Sequence, residues 1–172
     1  MPWLLSSVVK DSEAAIALME ELVAEMDKRY KVLETAGCPH LDAYNQKQIS
    51  SEYHLPRIVC IFDEYADFMT DKETRNALEA SIKRLGGMAR AAGIHLTVAT
   101  QRPEAGIVTP IIRSNLPGRV ALTTASEADS KIILGGTSTE AAYLLGKGDL
   151  FFQVNAELQR LQSLYAPEID FP

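Results

Sequence analysis

The stretch RIVCIFDEYADFM, residues 57–69, decides how the rest of the sequence is read. Its five consecutive apolar residues, 58–62, stop at two adjacent carboxylates, Asp63 and Glu64. A short, continuous apolar run of this kind fits a buried strand of a parallel sheet. Ligands of such sheets bind outside the carboxyl ends of the strands, where the two acids fall. There, one carboxylate can hold a hydrated divalent cation while its neighbour polarises an attacking water. Taken alone, the pair suits equally well the start of the next turn, because negative charge is favoured at a helix N-terminus.

A second strand tips the balance. IHLTVAT, residues 94–100, is rich in β-branched residues and runs straight into Gln101 and Arg102. That order places a polar amide at the tip of a neighbouring strand, where it can sense a γ-phosphate or orient water. Between the strands, Thr70 and Glu73 form a capping box for a helix with Leu78, Ile82, Leu85 and Met88 on one stripe, ended by Gly93. Upstream, Ile16, Met19, Val23, Met26, Tyr30 and Leu33 mark a helix over 12–36, capped by Asp11 or Ser12 and stopped by Gly37. The polar residues 38–56 read as a loop.

Downstream lie a loop with Pro103, Gly106 and Pro110, a short helical piece near 111–115, and the strand GRVALTT. Ser126 opens a further helix, and Thr137 with Glu140 opens another that ends near Gly146. DLFFQV and LQRLQSLY close the chain as a strand pair across a turn at Asn155 and Ala156. Strands alternating with helices predict an α/β fold with a largely parallel sheet.

The 172 residues suffice for one domain, and 47% hydrophobic with 23% charged residues is ordinary for a globular chain. No apolar run approaches the ~20 residues of a membrane span, and no signal peptide is evident. Cys38 and Cys60 give no disulfide framework, with Cys60 reading as a core residue, so a reducing cytoplasm fits. Cys38, His40, His54 and His95 lack the paired spacing of a zinc site. The net charge of −6 argues against a stand-alone nucleic-acid binder while leaving room for contact through a few loops.

The segments IVCIFDEYADFM, MARAAGIHLTVATQRPEAGIVTPIIRSNLPGRVALTT, SEADSKIILG and LLGKGDLFF resemble, in order and spacing, successive blocks of the FtsK/SpoIIIE DNA translocase motor. The opening MPWLLSSVVKDSEAAIALMEELVAEMDKRY is similar to the segment preceding that family's acidic strand. The resemblance implies a RecA-like P-loop NTPase core with a mostly parallel sheet and flanking helices. It also implies a ring, usually a hexamer, that hydrolyses ATP with Mg²⁺ at subunit boundaries and pumps double-stranded DNA.

By matching position, Asp63 is the Mg²⁺-associated acid, acting through water, Glu64 the catalytic base and Gln101 the polar sensor of the bound nucleotide. Arg90, in MARAAG, matches an arginine that reaches the neighbouring subunit's nucleotide, with Arg119 as the alternative. A guanidinium there neutralises transition-state charge. As a residue alone, Arg90 also reads as a solvated helix-end cation. The loop RPEAGIVTPIIR belongs by resemblance to the pore-facing region, with Arg102 and Arg113 as DNA phosphate contacts. Ordinary surface cations are the competing reading there, and Lys83 and Arg84 read as a solvated face.

The phosphate loop G-x-x-x-x-G-K-[ST] is absent from the sequence: GGTSTE has no lysine, and GKGD has no preceding glycine loop. In the family that loop lies upstream, so the expectation is a partial motor domain over 1–172, lacking the phosphate-loop strand. Its parts are a leading helix segment (1–37), a loop (38–56), core strands and helices (57–154), and a closing strand and tail (155–172). The missing strand should leave a sheet edge or face exposed. On this reading the chain is part of an ATP-driven translocase and inactive alone. The alternative is a ring-interaction or DNA-binding module that has no ATPase of its own and lends Arg90 to a competent neighbour. Chromosome segregation, plasmid transfer and genome packaging all use such engines. The segment is expected in the cytoplasm without direct membrane contact, compatible with tethering through segments outside it.

Overall fold

A computed structural model describes residues 4–69, 71–154 and 157–165. They divide into two compact units: Val9–Arg102, and the residues from Pro103 onward together with those before Val9.

In the first unit, helix α1 (Ser12–Thr35) begins where the Asp11 carboxylate accepts the Ala14 amide at 2.8 Å. It ends at Gly37, whose φ of +61° lets the Cys38 amide return to the Leu33 carbonyl at 2.9 Å. The buried stripe of α1 is Ala15, Met19, Leu22, Val23, Met26 and Leu33, with Arg29 among them. That stripe packs on helix α3 (Lys72–Met88), where Leu78, Ile82 and Leu85 are fully buried. Asp71 caps α3 by accepting the Thr74 amide at 2.9 Å; Thr70, expected in that role, lies outside the described residues. Met88 does not join the stripe and is exposed, because the helix ends there. Gly93 does not end α3; it closes the turn that follows, at φ +72°.

Residues 38–56 are not simply a loop. They hold helix α2 (Leu41–Lys47) and a single 3₁₀ turn, Ser51–Tyr53. The His40 ring nitrogen Nδ1 caps α2 by accepting the Ala43 amide at 3.2 Å. Buried Leu41 anchors it, its amide donating to the Ala91 carbonyl at 2.8 Å. Seven residues with one buried side chain show no helical period.

Strand β1 (Ile58–Phe62) pairs in parallel with β2 (Ile94–Val98), from Ile58 opposite Ile94 to Phe62 opposite Val98. Phe62 is buried, but Val59 and Ile61 are 60% and 67% exposed. The expectation of a strand buried on both sides is therefore corrected. One face of the pair packs inward, and the other shows Val59, Ile61, His95 and Thr97 to solvent. Cys60 is half-buried, and burial pushes its thiol pKa up. Lys83 and Arg84 are exposed, as expected, and Arg84 also pairs with Asp27 of α1 at 2.7 Å.

The second unit is an antiparallel sheet, β3 (Arg119–Ala121), β4 (Asp149–Val154) and β5 (Glu157–Gln162), with β4 in the middle. Helices α4 (Pro110–Asn115) and α5 (Glu127–Leu134) belong to it, capped by Thr109 and Ser126. Among the described residues β3 pairs with β4, so the third strand extends an antiparallel sheet and not the parallel pair. Ala121, Leu134, Ala141 and Leu144 form the core, flanked by Ile133, Phe151 and Leu158. The fully buried Ser130 hydroxyl donates to the Ser138 carbonyl and accepts the Ala141 amide.

The helix expected from Thr137 to Gly146 is a single 3₁₀ turn, Glu140–Tyr143, without a side-chain cap. Its continuation is forestalled at both groups of one hydrogen bond. The Ala141 carbonyl accepts the Thr124 amide at 3.1 Å, and the Leu145 amide goes to Asp149 at 2.8 Å. The closing strand pair is present, while Asn155 and Ala156 lie outside the described residues. No helix among the described residues is long and apolar enough to cross a membrane.

Candidate functional site

The parallel register of β1 and β2 brings Asp63 and Glu64 beside residues 99–102. The pairing runs one step past the strands: the Ala99 amide donates to the Phe62 carbonyl and the Tyr65 amide to the Ala99 carbonyl, each at 2.8 Å. Under this edge, Phe62 packs edge-on against Tyr65 and Phe68, with ring centroids 5.4 and 5.6 Å apart. Such aromatic pairs fix the geometry beyond what burial alone would.

Glu64 is the most constrained side chain of the site. Its Oε1 accepts the Thr100 hydroxyl at 2.5 Å and the Ala66 amide at 3.1 Å, and its Oε2 accepts the Gln101 amide at 2.8 Å. Partial burial raises its pKa, but the bonds from Thr100, Gln101 and Ala66, with the nearby Arg102 charge, outweigh it and hold the carboxyl below the usual range. Glu64 is thus an ionised acceptor with a fixed orientation at neutral pH. The Thr100 oxygen in turn accepts the Arg102 amide at 3.1 Å.

Asp63 is exposed and makes no hydrogen bond or ion pair among the described residues. A single carboxylate left open at a strand tip suits a cation that keeps most of its waters and is held mainly by substrate phosphates, as Mg²⁺ is in nucleotide sites. The Gln101 side chain is also exposed and without a partner among the described residues, while its backbone serves Glu64. Arg102 reaches Asp67 at 3.4 Å; both are exposed, so the pair holds little energy and leaves the guanidinium available.

Arg90 stands apart from this group. It precedes β2, whereas Glu64 and Gln101 lie at its far end, and five strand residues span about 16 Å. Arg90 lines a groove of about 680 Å³ with Tyr30, His40, Arg57 and His95. Asp42, the one acid among the described residues lining that groove, is bonded to Arg57 at 2.5 Å, and this bond lowers its pKa. The Arg90 guanidinium has no partner among the described residues. Arg119, the alternative to Arg90, spends its guanidinium on the carbonyls of Ile133, Leu134 and Arg113 at 3.1–3.2 Å. It ties down the end of α5. Arg113 sits in α4, partly exposed.

Thr100 is the residue of the site that the sequence did not single out. Its one signal was a hydroxyl at the tip of a strand, and which atom it would meet depended on the register of β1 against β2.

A sequence model of the FtsK/SpoIIIE family matches residues 1–105. Over 159 residues, 88% of this chain, it is 42% identical to a DNA translocase FtsK of Oceanobacillus iheyensis. Over 99% of the chain it is 39% identical to a DNA translocase FtsK of Campylobacter jejuni. The matches cover 20% and 18% of those proteins, so the chain spans about a fifth of their length. Among solved structures, the pCW3 conjugation coupling protein TcpA, in a monomer form with ATPγS, superposes with a TM-score of 0.80 at 34% identity, over 92% of this chain and 46% of that one. The cytoplasmic domain of the type VII secretion ATPase EccC of Thermomonospora curvata shares the fold, with a TM-score of 0.74 at 21% identity, over 96% of this chain and 20% of that one.

Proposed function

Because the chain belongs to the FtsK/SpoIIIE family, we propose that it is the segment of an ATP-driven DNA translocase that supplies the acidic half of the hydrolysis site. The observation that carries this reading is the contrast at the tip of β1: Glu64 is pinned by three donors, while adjacent Asp63 is left open.

ATP with Mg²⁺ supplies the phosphoanhydride to be cleaved and the cation that neutralises its charge. Asp63 would hold the cation's water shell. Glu64, ionised and fixed, would take a hydrogen from the attacking water, and the free Gln101 amide would sense the terminal phosphate. Arg90 cannot reach the same nucleotide from the opposite end of β2, so it would serve a neighbouring copy's site. That assignment carries with it a ring, whose copies would grip duplex DNA through phosphate contacts at Arg102 and Arg113.

Two variants of a motor polypeptide carrying this segment test the assignment. Glu64→Gln is expected to keep ATP binding and lose turnover by about 10²–10⁴-fold, the usual range for a general base. Arg90→Ala is expected to be inactive alone and to regain turnover when mixed with Glu64→Gln subunits, since each repairs the other's site. Unchanged turnover in Glu64→Gln would remove Glu64 as the base, and mixtures that stay inactive would remove the action of Arg90 on a neighbour.

A further inference from the structure

An ionised carboxylate has about four lone-pair positions, two on each oxygen. At Glu64, Oε1 uses both, for the Ala66 amide and the Thr100 hydroxyl, and Oε2 uses one, for the Gln101 amide. Among the described residues a single acceptor position is left, and it lies on Oε2. Glu64 therefore has one way to accept a hydrogen from water.

We propose that Thr100 is a positioning residue for Glu64, its hydroxyl pinning Oε1 so that Oε2 presents the only open lone pair to the attacking water. The Thr100 hydroxyl carries one hydrogen and has two acceptors in range, Glu64 Oε1 at 2.5 Å and the Arg102 carbonyl at 3.5 Å. Distance and charge both direct it to the carboxylate. The Arg102 amide, donating to the Thr100 hydroxyl oxygen at 3.1 Å, sets the hydroxyl rotor and polarises it. Thr100 thus links the turn at 100–102 to one oxygen of the base.

A purely structural account of Glu64 needs less. Accepting the Ala66 amide suffices to cap the Tyr65–Phe68 turn, and it requires neither Thr100 nor an oriented Oε2. The inference rests on the reading of Glu64 as base. In that step Glu64 Oε2 accepts the proton that water gives up as its oxygen bonds to the terminal phosphorus. The bond to the departing diphosphate breaks, and its electron pair leaves with the diphosphate.

Thr100→Val keeps the shape of the side chain and removes the donor; Thr100→Ser keeps the donor. In a motor polypeptide carrying this segment, Thr100→Val is expected to lower kcat by about 10²-fold, the loss that follows from misplacing a reacting group by an ångström. KM for ATP should stay within about twofold, because the lost contact acts on the chemical step. Thr100→Ser should stay within about threefold of the parent in kcat. A second readout uses the ligand-free chain. The Gln101 amide resonance in a ¹H–¹⁵N spectrum should move upfield in Glu64→Gln and in Thr100→Val and hold its place in Thr100→Ser. A kcat for Thr100→Val within about twofold of the parent would overturn the proposal. So would an equal loss in Thr100→Ser, or a Gln101 amide indifferent to Glu64→Gln. If Glu64→Gln alone leaves turnover intact, the reading of Glu64 fails, and the amide resonance still decides whether the carboxylate is held as described.

Discussion

Replacing Arg29 by alanine tests how the two strands of the site are held in register. Arg29 is 3% exposed on the apolar stripe of α1. Its guanidinium donates to the Pro56 carbonyl at 2.7 Å, the Ala92 carbonyl at 2.9 Å and the Glu25 carboxylate at 2.8 Å. Pro56 stands just before β1 and Ala92 just before β2, so one side chain ties the amino ends of both strands to α1. The Ala92 carbonyl is buried, and stranding it without a donor costs about 2–3 kcal/mol. The Pro56 carbonyl can turn to water, and its loss is about 1 kcal/mol. Glu25 is partly solvated and adds less than ~1 kcal/mol. The overall loss is about 4 kcal/mol, a large part of the ~5–15 kcal/mol a domain has. Urea unfolding followed by circular dichroism reads it directly: at an m-value of ~2 kcal/mol/M the midpoint should fall by about 2 M. Arg29→Lys, which can reach only one carbonyl well, should fall between the two. A loss under ~1 kcal/mol in Arg29→Ala, or a lysine variant as stable as the parent, would refute the claim that this guanidinium holds the strands.

Gly93→Ala places a methyl 2.3 Å from Leu41 Cδ2 at a φ of +72°, so it should destabilise by about 2 kcal/mol through strain and overpacking. Combining it with Leu41→Ala should cost less than the two single losses together; strict additivity in a double-mutant cycle would show that the two positions do not press on each other. In the second unit, Arg160 bonds to Asp149 at 2.7 and 3.0 Å, and with the Leu145 amide it holds the Asp149 pKa at about 2. The folded pKa lies below the unfolded value of ~3.9, so this contribution is present above about pH 4 and is lost as the pH falls toward 2. Asp149→Asn should flatten that acid limb in a series of melting temperatures against pH; superimposable limbs would remove Asp149 as its source.

Helices α1 and α3 and the strand pair were legible because apolar spacing and capping residues are local signals. Asp11, Gly37 and Ser126 act where the pattern placed them. What escaped was set by partners far along the chain. Helix α2 depends on a histidine as its cap and on Leu41 meeting the Ala91 carbonyl, and neither shows as a period. The segment after Thr137 has the residues of a capped helix but stops after one turn, because Asp149 takes the Leu145 amide. Arg29 lies on the apolar stripe between Met26 and Leu33, yet a cation there reads as an interruption until its two carbonyl partners are known. At the site the acids and Gln101 were visible as residue types at strand tips. The asymmetry between a pinned Glu64 and an open Asp63 was not, since it arises from Phe62 standing opposite Val98.

The same strand makes an argument about assembly. Glu64 is bonded to the turn after β2, and Arg90 lies in the turn before it, where the Gly93 amide closes on the Arg90 carbonyl at 3.1 Å. A short strand in a ladder is stiff along its length, so the ~16 Å between its ends is not removed by side-chain rotation. One copy therefore cannot bring both groups to one phosphate. If both take part in hydrolysis, every working site needs two copies, and turnover should rise with concentration more steeply than in proportion until assembly is complete. The groove around Arg90 suits that division. Among the described residues its one carboxylate is already bonded to Arg57, which leaves the Arg90 guanidinium exposed and without a partner there to compete with an incoming anion.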